Sequence, residues 1–243
     1  MPRYFFEISY KGTDFVGWQK QAKGSTVQGN IENALSKLCS MKPISITGCG
    51  RTDTGVHAKK YFFHADFEEY INESQFKFKL NLMLENSIAI HKILLVSDDL
   101  HARFNAKQRT YKYFIHFEKN VFKKESSWWI SQDLDLDLMK KAGNLLIGKK
   151  DFEAFSKKHT DVKTHICTLT KADFILKDNE LIFEISANRF LRNMVRAIVG
   201  TLIEVGLHKI TIQEFKDIIA SKARQNAAAS APALGLFLWD VEY

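Results

Sequence analysis

The succession of strand and helix patterns constrains the fold of this chain more than any other feature of its sequence. Runs of alternating apolar residues predict strands, and apolar residues three and four positions apart predict helices. In the first half, strands are predicted at 4–10, 44–49, 61–67 and 88–96, with helices from Val27 to Leu38 and from Asn72 onward. In the second half, strands are predicted at 109–117, 165–176, 181–186 and 236–241, with helices at 134–146, 189–205 and from Ile212 onward. The pattern Thr211-x-x-Glu214 predicts a capping box at the start of the last helix.

The order β-α-β-β-α-β of the first half returns in the second, with one added helix before the last strand. This order predicts an α+β protein with two split-βαβ (ferredoxin-like) domains, each built on an antiparallel sheet. The boundary is expected near Ala106, which gives domains at 1–106 and 107–243. Residues 98–106 contain neither Pro nor Gly, so we expect the two domains to dock around a central cleft rather than to move independently.

Composition favours a well-cored protein with a polyanionic partner. The chain has 243 residues, 45% of them hydrophobic, and its 35 Lys and Arg against 28 Asp and Glu give a net charge of +7. Such a charge attracts nucleic acid over a long range. Cys39, Cys49 and Cys167 have neither disulfide nor zinc-ligand spacing, so we expect reduced packing residues. The sequence shows no signal peptide and no apolar run of about 20 residues, so we expect a cytoplasmic protein without membrane contact.

One acidic residue, Asp53, lies in the glycine-bounded segment 50–59, GRTDTGVHAK. A β-branched run precedes the segment and an aromatic run follows it, so we expect a turn held between two half-buried strands. Positive charge on Arg51 and His57 would favour the ionised carboxylate, which suits Asp53 to act as a nucleophile or a base. Gly and Asp also dominate turns for conformational reasons alone, so a structural role is the alternative.

A second group of candidates lies on the strand that follows the linker. Arg109, Tyr111 and Tyr113 share one face of this strand because strand side chains alternate. Tyr111 lies near the strand start beside Arg109, where its ring can stack on a base and its hydroxyl can form a hydrogen bond. Tyr113 is followed on the same face by apolar Ile115, so a core position explains it equally well.

The helix predicted at 189–205 brings Arg189, Arg192 and Arg196 together on a face separate from its apolar stripe. Such a face is usually solvated. Arg196, however, is followed by apolar residues, which indicates that the helix becomes more buried there. A buried arginine nearly always needs an anionic partner, and Asp53 is the candidate for that partner.

The segment 10–20, YKGTDFVGWQK, combines glycines, aromatic residues and cations. It fits a turn around a buried Trp18, and it fits an RNA-contacting surface equally well. The eight histidines are scattered without ligand spacing, and no nucleotide-binding loop is present. We therefore expect no metal site and no cofactor.

Five segments, in order along nearly the whole chain, carry a resemblance to a known family. They are 10–19 (YKGTDFVGWQ), 50–58 (GRTDTGVHA), 101–104 with 109–113 (HARF and RTYKY), 190–200 (FLRNMVRAIVG) and 231–236 (APALGL). The chain resembles the tRNA pseudouridine synthase A family in each of them. Thr54 and Asn105 stand where that family often has Ala and Ser.

The resemblance implies the pseudouridine synthase fold and an isomerase that converts uridine to pseudouridine in the tRNA anticodon stem-loop, at positions 38, 39 and 40. It implies that Asp53 is catalytic, that Tyr111 packs on the target base and that Arg196 pairs with Asp53 and orients it. Arg51 and Arg103, which lie in matched segments, are expected to bind the substrate. A homodimer is also implied. Isomerisation detaches the uracil at N1 and rejoins it through C5, which requires no redox cofactor and no metal.

Three other functions fit parts of the sequence. A synthase of the same fold acting on other uridines would use the same residues with different docking surfaces. A non-catalytic RNA-binding module would leave the matches at Asp53, Tyr111 and Arg196 unexplained. An acid-base hydrolase normally needs a second carboxylate near the first, and the segment around Asp53 offers one carboxylate.

Overall fold

The structure, a computed structural model, describes residues 1–157 and 162–243, and these fall into two compact units. Unit 1 comprises Met1–Lys107 and Phe237–Tyr243, and unit 2 comprises Gln108–Leu236. Each unit combines helices with a mostly antiparallel sheet. The mixed α and β architecture expected from the sequence is confirmed.

In unit 1, four strands and the first part of a fifth form one sheet. Strand β1 (Arg3–Tyr10) lies between β4 (Ile88–Val96) and β3 (His57–Asp66) and is antiparallel to both. The short β2 (Thr47–Gly48) pairs antiparallel with β3, and Phe237 and Leu238 of β10 (Leu236–Glu242) pair parallel with it. The helices are α1 (Val27–Leu38) and α2 (Glu73–Met83).

The ends of the unit 1 helices follow from capping residues. The Thr26 side chain accepts a hydrogen bond from the Gly29 amide at the start of α1, and Asn72 accepts one from Gln75 at the start of α2. Each satisfies an amide that has no partner within the helix. Both helix starts were therefore predictable from local chemistry.

In unit 2, four strands form an antiparallel sheet in the order β5 (Gln108–His116), β9 (Glu180–Ala187), β8 (Ile166–Lys177) and β7 (Gly148–Asp151). The short β6 (Trp128–Trp129) pairs parallel with β5. The helices are α3 (Leu136–Asn144), α4 (Met194–Gly206) and α5 (Ile212–Ser221). Thr211 and Glu214 form a reciprocal capping box at the start of α5, as the sequence predicts.

The start of α4 corrects the sequence prediction. Asn193 adopts the left-handed conformation with φ 65° just before the helix, so the helix begins at Met194 rather than at Arg189. Asn tolerates this conformation better than most residues. Arg189 and Arg192 consequently lie outside the helix, and the predicted helical face of three arginines is wrong.

The strands differ from prediction at several further places. Only Thr47–Gly48 of the run 44–49 forms a strand, and β3 begins at His57, four residues before the predicted start. The short β6 and β7 were not predicted. The residues from Phe237 onward belong to unit 1, although the sequence assigned all of 107–243 to the second domain.

Two properties bear on redox state and membrane contact. Cys39, Cys49 and Cys167 are not joined by disulfides. Cys49 and Cys167 are buried, as expected of packing residues, whereas Cys39 is half-buried. Burial raises the pKa of Cys167 to about 11. Among the described residues, no helix has the length and apolar character needed to cross a bilayer.

Candidate functional site

Asp53 lies in the loop between β2 and β3 of unit 1, in a turn closed by its own carbonyl. The Asp53 carbonyl accepts a hydrogen bond from the Val56 amide at 3.1 Å. The preceding residue, Thr52, is buried, and its hydroxyl lies 2.8 Å from that of Tyr10. Asp53 itself is half-buried. The loop backbone is therefore fixed on the core of the unit, while Asp53 itself keeps part of its surface exposed.

The loop between β1 and α1 supports the Asp53 loop from behind. The Trp18 amide donates to the Thr52 carbonyl at 3.2 Å, and the Gly55 amide donates to the Phe15 carbonyl at 3.2 Å. Gly17 has φ +105°, and a Cβ there would lie 2.6 Å from the Thr52 oxygen. Only glycine satisfies both conditions. The glycines and aromatic residues of this loop thus hold the Asp53 loop in place.

Trp18 is a core residue, as one of the two interpretations of segment 10–20 predicts. It is 2% exposed and stacks on the Tyr61 ring with a centroid distance of 4.1 Å. The Tyr61 hydroxyl donates to the Gly50 carbonyl at 2.5 Å, at the start of the Asp53 loop. The buried aromatic cluster therefore extends directly to the candidate catalytic segment.

The charges around Asp53 differ from the sequence expectation. Arg51 is exposed in the same loop. His57, by contrast, is 1% exposed, its Nδ1 accepts a hydrogen bond from the Gly12 amide at 3.0 Å, and its ring stacks on Phe237. A nitrogen that accepts a backbone N–H carries no proton of its own. His57 is thus a structural acceptor rather than a cation beside the carboxylate.

In unit 2, β5 presents Tyr111 and Arg109 near its amino-terminal end. Tyr111 is half-buried, and its ring meets Phe190 edge to face at 5.1 Å. The Arg109 guanidinium donates to the Asn188 carbonyl at 2.9 Å. Tyr113 is fully buried and donates its hydroxyl to the Pro232 carbonyl, and burial raises its pKa. Tyr113 is therefore a core residue, whereas Tyr111 keeps a partly exposed ring.

Arg196 lies in the first turn of α4, half-buried, with its Nε donating to the Ala231 carbonyl at 2.8 Å. The Ala231 amide donates in return to the Arg196 carbonyl at 3.0 Å. These two bonds connect the helix to the residues 224–231, which we call the 224–231 segment. The guanidinium plane is therefore set by a fixed backbone acceptor.

The 224–231 segment is in turn held by a half-buried arginine, Arg224, that the sequence did not indicate. The Arg224 guanidinium donates to the carbonyls of Ala227 and Ala228 and to the Ser230 hydroxyl, at 2.9 to 3.1 Å. Asn193 also donates to the Ser230 hydroxyl. Burial lowers the pKa of Arg224. This network supports Arg196 indirectly, through the segment that accepts its Nε.

Arg103 lies in a compact loop at 101–105, also in unit 1. The His101 Nδ1 accepts hydrogen bonds from the amides of Arg103 and Phe104, and the Asn105 side chain accepts one from the His101 amide. The buried His64 receives the Ala102 amide at its own Nδ1. Two unprotonated imidazoles therefore fix this loop, and Arg103 is exposed on it.

These imidazoles predict a loss of stability in mild acid. Burial, with smaller contributions from Arg3 and His101, lowers the pKa of His64 from its ordinary value near 6.5 to about 4. The unfolded state then binds a proton at His64 more readily than the folded state does. The contribution of neutral His64 to the free energy of unfolding is therefore fully present above about pH 6.5 and is lost as the pH falls towards 4. We expect a loss of about 2 kcal/mol from His64.

Urea unfolding at pH 7.5 and pH 5 measures this loss. His64→Asn keeps an acceptor for the Ala102 amide but removes the titrating group, so we expect its stability to change less between the two pH values than that of the wild type. His208→Asn, at an exposed histidine, is the matched control and should keep the wild-type difference. Equal pH dependence for His64→Asn and the wild type would contradict the assignment.

One cluster of possible metal ligands lies away from these residues, in unit 2. Ligand atoms of Asp151, Glu153 and His165 lie within 4.8 Å of one another, because the pairing of β7 with β8 brings their sequence positions together. Lys222 already lies 3.2 Å from one Asp151 oxygen, and the other accepts the Glu153 amide. The acidic charge is thus balanced by a lysine.

The structure places the predicted residues in two groups. Asp53, Arg51 and Arg103 lie in loops of unit 1, and Tyr111 and Arg196 lie in unit 2. Asp53 and Arg51 share one loop. The sequence did not predict that the loop between β1 and α1 supports the Asp53 loop, or that the 224–231 segment supports Arg196. Both roles depend on contacts between residues distant in sequence.

Comparison with known proteins adds a family relationship. A family model described as "tRNA pseudouridine synthase" matches residues 142–243. The tRNA pseudouridine synthase A of Parabacteroides distasonis is 46% identical, with 100% of this chain and 96% of that protein covered. The tRNA pseudouridine synthase A of Azobacteroides pseudotrichonymphae is 43% identical over 100% and 97% of the two chains, and that of Geobacillus sp. is 39% identical over 97% and 96%.

A crystal structure of a Cbf5-Nop10-Gar1 complex overlaps 82% of this chain and 54% of its own, with 10% sequence identity and a TM-score of 0.36. An overlap this slight carries no information on fold or function. The family relationship therefore rests on the sequence relatives, which match over nearly their full length.

Proposed function

The chain belongs to the tRNA pseudouridine synthase A family, and on that premise we propose that it is an isomerase that converts uridine to pseudouridine in tRNA. The relatives match it from end to end, at 39 to 46% identity for the three described above. The observation that carries the proposal is the position of Asp53. Its loop is fixed by hydrogen bonds from a second loop, while the residue stays half-buried, as a reactive carboxylate requires.

Asp53 is proposed to start the reaction. Its carboxylate either forms a covalent bond with the ribose or the base, or removes a proton from C2′ to give a glycal-like intermediate. On both routes the N1–C1′ bond breaks and the detached uracil turns. When C5 bonds to C1′, the covalent route releases the bond to Asp53, and the glycal route returns the proton from Asp53 to C2′. The C5 proton then leaves and N1 gains one proton, so product and substrate have the same composition and the carboxylate is regenerated. No electron donor or acceptor takes part.

Tyr111 and Arg196 are proposed to complete the active site with Asp53. Tyr111 is half-buried with its ring against Phe190, and this ring would keep the detached uracil in the site during its rotation. Arg196, whose Nε is fixed by the Ala231 carbonyl, would pair with the Asp53 carboxylate and orient it. A planar guanidinium suits this role because it can donate two parallel hydrogen bonds to a carboxylate.

The finer architecture is part of the same proposal. We infer that the chain forms two split-βαβ domains, 1–106 and 107–243, docked around the cleft that contains these residues, in the pseudouridine synthase fold. Unit 1 differs from the first of these domains mainly by including residues 237–243. The strand order β4-β1-β3 of unit 1, with β2 on the outer side of β3, supports this inference, since it is the order that the split βαβ motif produces. The last strand would then be part of the second domain in sequence but part of unit 1 in the structure, so the chain would pass from one domain to the other a second time.

The proposed substrate is the anticodon arm of tRNA, at uridines 38, 39 and 40, in the cytoplasm. The net charge of +7 and the exposed Arg51 and Arg103 support binding to a polyanion. A uridine in a stacked arm must leave the stack before it can react, which requires a few kcal/mol. A homodimer that grips one tRNA across both subunits is proposed as the binding form.

The experiment is a nucleotide-resolution map of pseudouridine in unmodified tRNA transcripts incubated with the protein. Transcripts with uridine at 38, 39 and 40 should be converted at those three positions, and matched transcripts with cytidine there should remain unmodified. Conversion at other uridines would indicate a synthase of the same fold with different targets. Tight binding without any conversion would indicate a non-catalytic RNA-binding module.

A further inference from the structure

Phe104 is an exposed aromatic residue in a loop that is otherwise well held. Its side chain and backbone together are 76% exposed. Transfer of a phenyl ring from water to the protein interior is favourable. Folding stability therefore does not explain why a hydrogen-bonded loop holds this ring in solvent. The loop residues around it provide one.

Two side chains accompany the Phe104 ring. The His101 ring stacks on it with a centroid distance of 4.3 Å and an interplanar angle of 30°. The Arg103 guanidinium carbon lies 5.6 Å from the ring centroid, within cation–π range. His101 also receives the amides of both Arg103 and Phe104 at its Nδ1, so the three side chains form one ordered group.

The loop is attached to the core of unit 1 at its second residue. Ala102 is fully buried, its amide donates to His64, and its carbonyl accepts the Tyr243 hydroxyl at 2.6 Å. The Asn105 amide donates back to the His101 carbonyl at 3.1 Å. The ring is therefore presented in a fixed position and loses little conformational entropy when a partner binds.

We propose that Phe104, supported by His101 and Arg103, is a stacking platform for an unpaired base of the RNA substrate. The inference rests on the proposed function, because it assumes that RNA is bound. A base offers a π face to the phenyl ring and a phosphate to the guanidinium next to it. Phe104 would bind the RNA away from the reacting atoms, so it is a binding residue and not a catalytic one.

The surroundings of the ring favour a base over a protein partner. The sequence neighbours of Phe104 are the exposed polar residues Arg103 and Asn105, and Lys107, three positions further on, is also exposed. Protein interfaces instead centre on apolar patches from which charged residues are depleted. A single aromatic ring beside a cation and an amide matches the way single-stranded RNA is bound.

The test compares three variants of Phe104 and one control variant by filter binding to an unmodified tRNA transcript. Loss of a base–aromatic stack should weaken binding roughly 5- to 150-fold. We therefore expect this loss for Phe104→Leu, which keeps an apolar side chain, and for Phe104→Ala. Phe104→Trp, which keeps a larger π face, should bind at least as tightly as the wild type. Phe78→Ala, at a 63% exposed phenylalanine on α2 of the same unit, is the control and should bind normally.

The salt dependence of binding separates stacking from charge. Phe104→Leu removes no phosphate contact, so the slope of log affinity against log salt should stay as in the wild type. Wild-type affinity for Phe104→Leu would overturn the proposal, and so would a reduced slope, which would mean that the substitution acts through the neighbouring cations. A change in sedimentation coefficient with unchanged RNA affinity would overturn it in favour of a protein contact. A wild-type protein that forms no pseudouridine would contradict the proposed function instead, a separate result.

Discussion

Replacing Asp53 by Asn is expected to lower the rate of pseudouridine formation by roughly 10⁴-fold or more, the loss seen when an essential catalytic side chain is removed. The amide has nearly the same shape as the carboxylate but can neither attack carbon nor accept a proton from C2′. The loop should remain in place, because its hydrogen bonds run through the backbone of Thr52, Asp53 and Gly55. Affinity for tRNA should therefore stay within about threefold. Single-turnover conversion and filter binding measure the two quantities.

Asp14→Asn is the matched control for this substitution. Asp14 is an exposed carboxylate in the loop that supports the Asp53 loop, so its variant carries the same change in charge close by in sequence and should convert tRNA normally. Pseudouridine formation by Asp53→Asn at more than a few per cent of the wild-type rate would remove Asp53 from the mechanism. Equal losses of binding and turnover would instead point to a disturbed loop.

The sequence predicted those elements whose signals are local. The strand β1, the helix α1 and the capping box at Thr211 all depend on residues within a few positions of one another, and the structure contains each of them. The five matched segments likewise indicate Asp53, Tyr111 and Arg196 by their motifs alone. Local pattern and motif were enough to name the candidates.

The features that the sequence did not predict depend on contacts between distant residues. His57 looked like a cation, and its buried position and its bond to the Gly12 amide follow only from the packing of two loops. The start of α4 depended on the left-handed conformation of Asn193, which helical periodicity does not register. The role of Arg224 depends on a chain segment that folds back against a helix. None of these leaves a periodic signal.

Gly200→Ala is expected to destabilise the protein by about 3 kcal/mol and to lower turnover of the remaining folded protein by roughly 10²-fold. A Cβ at Gly200 would lie 1.9 Å from the Ala229 carbonyl oxygen and 3.2 Å from the Ala231 amide nitrogen. The 224–231 segment would have to move by more than an ångström, and it carries the carbonyl that accepts the Arg196 Nε. Urea unfolding measures the first effect, and kcat for tRNA conversion, determined well below the unfolding transition, measures the second.

Gly143→Ala in α3 separates crowding from helix propensity. Its new Cβ would lie 3.2 Å from the Ala172 carbonyl oxygen, a contact that a small adjustment relieves, and alanine gains about 1 kcal/mol of helix propensity. We expect its stability within about 1 kcal/mol of the wild type and its turnover unchanged. Wild-type stability for Gly200→Ala would mean that the 224–231 segment does not pack against α4. Lower stability with full turnover would mean that the segment supports the fold without orienting Arg196. In that case the Arg196 guanidinium would still act in turnover after the Ala231 carbonyl had moved.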